Sequence, residues 1–166
     1  MRQELIVPNV GIRGVKLGMS LAQVKRVLGS GGILNKRQKL GPRSEYVEYV
    51  WDYGSFRTGF VRRSGRTGVA LVATTLSSQR TRSGVGVGTP LKRAQQRTGA
   101  RCFDVDYYAK DQWYRDPSTE STQYCLIGSA RGKRTVFIIG TKYHRSGPIP
   151  AKLPPIVREV IVREAF

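Results

Sequence analysis

Gly14-Val15-Lys16-Leu17-Gly18-Met19-Ser20-Leu21 returns in the second half of the chain as Gly84-Val85-Gly86-Val87-Gly88-Thr89-Pro90-Leu91, and no other feature constrains the fold as much. The match runs on without a gap to Gly29 and Gly99, with Leu17 and Val24 facing Val87 and Ala94. A unit written twice in 166 residues points to one shared core, because a small repeat cannot bury its apolar face alone. Each copy reads as a short helix. Ser20 suits an N-cap, Pro90 a first helical turn, and Gly29 or Gly99 the C-terminal stop. In the first copy Leu21, Val24, Val27 and Leu28 make one apolar face. In the second, Arg97 and Thr98 stand where Val27 and Leu28 stood, so that helix is expected to dock more weakly.

After each helix the apolar period shifts towards two. Residues 46–51, 56–61 and 69–74 read as strands, with turns at Tyr53-Gly54 and Ser64-Gly65. Residues 123–127, 135–139 and 157–162 follow in the second half, the first two joined at Arg131-Gly132-Lys133. Segments 29–44 and 141–155 read as Gly/Pro/Lys-rich loops. The expectation is an α+β fold: one domain, 1–166, made of two tandem helix-plus-β-meander repeats (about 11–78 and 82–166), with an antiparallel sheet and the helices packed on one face.

Charge narrows the range of partners. Twenty-nine Lys and Arg against 11 Asp and Glu give +18 and a pI near 10.7. Eight bases and no acid lie between Glu4 and Glu45, and ten bases and no acid between Asp52 and Asp104. Such a chain attracts anions of any kind, less so as salt rises. It shows no helix-turn-helix pattern, zinc-finger spacing or aromatic ribonucleoprotein motif, and its bases are not gathered on one helical stripe. No uncharged apolar run is long enough to span a bilayer as a helix. Met1 to Pro8 lacks the apolar run of a secretion signal, which says little about compartment.

The two cysteines, Cys102 and Cys125, both lie in the second repeat. Closing that loop would stabilise by about 3 kcal/mol and would place the protein outside the cytosol. Two buried free thiols are the other reading, and spacing alone leaves both open.

Leu17-Gly18-Met19-Ser20-x-x-x-Val24-x-x-x-Leu28-Gly29, with its degenerate second copy, resembles the tandem-repeat fold of the β-lactamase inhibitory proteins, whose wider kin include small outer-membrane-assembly lipoproteins. The likeness covers most of the chain in layout, and in motif only the stretch from Leu17 to Gly29. It implies one curved antiparallel sheet, a Cys102–Cys125 disulfide like that of the inhibitors' second repeat, a secreted or surface-held protein, and binding to proteins in place of catalysis. The chain departs from that pattern in lacking a first-repeat cysteine pair, in having no cysteine near its start, and in its +18 charge.

Candidate chemistry is sparse. Gly84 to Gly88 invites a phosphate-loop reading but lacks the Gly-Lys-Ser/Thr ending. Asp104, Asp106, Asp111, Asp116 and Glu120 fail the EF-hand spacing, so no metal is expected. His144, the one histidine, has Ser146 nearby but no acid to orient it. No catalytic residue, cofactor or enzyme activity is therefore expected. Aromatics carry the binding expectation. Tyr107, Tyr108, Trp113 and Tyr114 follow Phe103 in a stretch without a counterpart in the first repeat, and Tyr49, Trp51 and Tyr53 share one strand face. That face is a ridge for a partner if open, and core if it lies under the helices. The leading expectation is a non-catalytic, inhibitor-like protein-interaction module outside the cell, using the open sheet face against an unidentified protein. The alternative is a cationic protein whose ligand is an anionic polymer, nucleic acid or a wall component.

Overall fold

The computed structural model describes residues 5–39, 46–104, 120–128, 132–141, 143–144, 151–152 and 155–164. The framework is an eight-stranded, wholly antiparallel sheet in the order β4(Ile33–Lys39), β5(Tyr46–Asp52), β6(Phe56–Arg63), β7(Arg66–Thr74), β14(Ile156–Glu164), β11(Lys133–Thr141), β10(Glu120–Gly128), β9(Arg101–Asp104). Four strands of the first half and four of the second meet at β7 and β14, where Thr74 pairs with Val160 and Val72 with Val162. β14 thus comes last in the chain and sits in the middle of the sheet.

Against one face lies a small four-stranded sheet, β3(Val15–Lys16), β2(Gly11–Ile12), β1(Leu5–Val7), β8(Arg80–Thr81), whose last pairing is parallel. It sinks Ile6, Ile12 and Val15 into a core shared with Phe56, Phe60, Val72, Phe137, Val160 and Val162. Gly11 is obligatory there, since a Cβ would stand 2.0 Å from the Val15 carbonyl oxygen. A third, two-stranded sheet pairs β12(Tyr143–His144) with β13(Ala151–Lys152).

The two helices, α1(Leu21–Leu28) and α2(Leu91–Thr98), have eight residues each. α1 starts with a capping box: the Gln23 N–H donates to Ser20 Oγ, and the Ser20 N–H donates to Gln23 Oε1 at 2.8 Å. Pro90 caps α2 without a side-chain bond. Each helix fully buries one residue, Val24 or Ala94. The matched glycine tracts lead into them alike. Gly18 and Gly88 hold φ of +87° and +90°, which frees their N–H groups to reach the central strands. The Gly18 N–H donates to Val69 O and the Val69 N–H to Met19 O; the Gly88 N–H donates to Val157 O and the Val157 N–H to Thr89 O.

These findings overturn the α+β expectation of helix-plus-meander repeats with helices forming the layer on the sheet. The described residues are mostly strand, and two-turn helices are too short to make a layer of their own. That layer is chiefly the small sheet, whose two- and three-residue strands were not expected from the sequence. Segment 29–44, read as loop, contains edge strand β4.

The other face of the large sheet also has an apolar centre. Leu71, Ala73, Tyr124, Val136, Ile138 and Ile161 form a second buried cluster there. Burial on both sides explains why β7 reads Val69-Ala70-Leu71-Val72-Ala73-Thr74 without alternation.

Candidate functional site

At the β9 edge of the large sheet, Cys102 and Cys125 occupy paired positions and form a disulfide, with Cα atoms 4.0 Å apart. The cross-link fastens a four-residue edge strand to a nine-residue neighbour, and Cys125 is fully buried on the side of the small sheet. One residue on, the strand turns to the opposite face. There Phe103, 45% exposed, stacks on buried Tyr124 with ring centroids 5.5 Å apart and planes at 23°. Phe103 and Tyr124 are also cross-strand partners, so ladder and rings fix the same register. Arg101 stands exposed two residues before Phe103, hence on the same face. A half-exposed ring held rigidly beside a cation is a contact point that costs little entropy to order.

Inward from this edge the face carries an ion pair. Arg57 on β6 reaches past β7 to Glu159 on β14, a carboxylate only 5% exposed. Arg57 keeps about a quarter of its side chain in water, so the pair marks the boundary between buried centre and wet rim.

The sequence-predicted site residues fall into three groups. Tyr107, Tyr108, Trp113 and Tyr114 lie outside the described residues. Tyr49 and Trp51 belong to β5, with register partners Phe60 and Thr58, both fully buried; their side chains are outside the description. Tyr53 is half-buried, packs on the core beneath the small sheet, and donates its hydroxyl to Gly29 O at 2.5 Å. Tyr53 thus belongs to the covered side of the large sheet and not to an open ridge. Sequence reasoning named Phe103 but missed Tyr124, whose period-two position opposite Phe103 appears only once β9 is known to be a strand.

The glycine loop is not a phosphate cradle. Its N–H groups are spent within the protein: Gly84 on Thr81 O, Val85 on Thr81 Oγ1, Gly86 on Thr89 Oγ1, Gly88 on Val157 O and Thr89 on Gly86 O. Its carbonyls turn inward to the Arg80 guanidinium, which donates to Gly84 O at 3.0 Å, Val87 O at 3.4 Å and Thr89 Oγ1 at 3.2 Å. A cation already occupies the concavity where an anion would sit. Among the described residues no three His, Cys, Asp or Glu side chains approach closely enough to hold a metal ion, and no helix is long and apolar enough to cross a membrane. His144 lies in β12, and Ser146 is outside the described residues. A shallow groove of about 470 Å³ runs between the start of α1 and the β6–β7 hairpin, lined by Ser20, Gln23, Val61, Arg66, Thr67 and Glu164 among others. No protein-family model, curated protein or solved structure matches the chain.

Proposed function

We propose that the protein is a non-catalytic binding module working outside the cytosol, gripping a protein partner at the β9–β10 edge of the face opposite the small sheet. The observation that carries this reading is the Phe103–Tyr124 stack, a half-exposed ring fixed on a disulfide-locked edge strand beside Arg101. Aromatic and arginine anchors on rigid backbone are what protein interfaces use for most of their affinity. The aromatic sequence that continues to Tyr114 extends the candidate anchors to Tyr107, Tyr108, Trp113 and Tyr114. The disulfide supports an extracellular or surface location, since cytosolic thiols are kept reduced. An inhibitor-like role against a secreted enzyme follows the same logic, with an acidic patch on the target to meet Arg101.

The test is capture from the native host's extracellular fraction by the wild type and by Phe103→Ala. A protein held stoichiometrically by the wild type and released more than tenfold faster from an equally stable Phe103→Ala supports the reading. Equal retention by both refutes the anchor. Two reactive thiols in the denatured, unreduced protein from its host refute the location.

A further inference from the structure

We infer that the outer surface of the small sheet and the two helices is a second interaction face, built to lie along the phosphate backbone of double-stranded nucleic acid. The layer is formed by residues 5–31 and 76–100, which contain nine Lys and Arg and not one Asp or Glu. In sequence these bases look dispersed; folding collects them. Arg13, Lys16, Arg26, Arg82, Lys92, Arg93 and Arg97 are all exposed on this layer. Arg80 is spent inside the glycine loop. Of the two carboxylates whose side chains are described, Glu159 is buried on the opposite face and Glu164 lines the groove beside Ser20 and Gln23.

The spacing of the charges selects the ligand. β3, at one edge of the small sheet, leads into α1, whose last carbonyls reach Tyr53 beside β5; β8, at the other edge, is followed by α2, which leads into β9. β5 and β9 stand six strand spacings apart, about 29 Å, so Arg26 in the last turn of α1 and Arg97 in the last turn of α2 lie towards opposite edges of the layer, with Lys92 and Arg93 between them where α2 starts beside β14. That exceeds the screening length of about 8 Å in physiological salt, so a small anion meets one cluster only. A stiff rod, charged closely along its whole axis as a duplex is, meets both without ordering itself. The layer holds no Phe, Tyr or Trp, so it offers unpaired bases nothing to stack on and a bilayer interface no aromatic anchor. It therefore reads charge along a stiff duplex and not sequence.

The test is fluorescence anisotropy of the oxidised full chain with a 20-base-pair duplex of arbitrary sequence, between about 50 and 200 mM salt. Four phosphate contacts give a log–log slope near −3.6, hence about 150-fold weaker binding across that range. Lys92→Gln with Arg93→Gln lowers the slope by about 2, while Lys133→Gln with Arg134→Gln on the large sheet leaves it unchanged at the same melting temperature. A wild-type slope shallower than −2, equal losses from both pairs, or tighter binding to a single strand of the same charge or to anionic vesicles overturns the inference.

Discussion

Reducing the Cys102–Cys125 bond removes no atom from the core, so it isolates what the cross-link does to the unfolded chain. The bond closes a loop with a sequence separation of 23, for which loop-closure entropy gives about 3.5 kcal/mol at 25 °C. The native register does not depend on it alone, because four residue pairs and the Phe103–Tyr124 stack also tie β9 to β10. The reduced protein is therefore expected to fold, with stability lower by about 3 kcal/mol. At about 2 cal/mol/K of unfolding entropy per residue, this is a drop of roughly 10 °C in melting temperature. Urea titrations with and without reductant measure it, and the reduced form should show the steeper slope because its unfolded chain expands further. A loss under about 1 kcal/mol with unchanged slope would refute the reasoning, since the loop would then be constrained without its cross-link.

Three further substitutions test the framework. Gly18→Val places a β-branched side chain at φ +87° where no neighbour clashes, so the expected loss of about 1–3 kcal/mol, read by thermal denaturation, is backbone strain alone. Gly86→Ala drives a Cβ to 2.4 Å from Gln79 O and should cost about 3 kcal/mol or more in a urea titration, because backbone has to move. Arg57→Met leaves the buried Glu159 without its guanidinium and should cost about 3 kcal/mol, whereas adding Glu159→Leu recovers most of that loss in a double-mutant cycle.

What could be read from the chain follows the length of each element. The long strands on either side of Gly54, Gly65 and Gly132 showed themselves by period and by those turns, all at positive φ. The small sheet did not, because two- and three-residue strands are shorter than any window in which a period can be seen. β4 was hidden by Lys36, Arg37 and Lys39, charges that an edge strand tolerates and a central one does not. The matched glycines were informative about local geometry and misleading about architecture. They specify how the chain turns into two short helices, and helix-centred reading then promoted those helices to a layer. The unbroken apolar run in β7 was the overlooked signal, since a strand covered on one side should alternate. At the site, Phe103 was legible as an aromatic, but its exposure and its seat on Tyr124 depend on pairing with a strand well beyond any local window.

The placement of β14 between β7 and β11 bears on how the molecule is made. A chain produced in order forms two partial sheets, each ending in a long apolar strand, and β14, made after both, closes the gap. Until then β7 and β11 are sticky templates for any extended segment, including the equivalent strand of a neighbouring nascent chain. Assembly is thus gated by the arrival of one nine-residue segment, and exchange of that segment between two chains is the natural misassembly of such a topology.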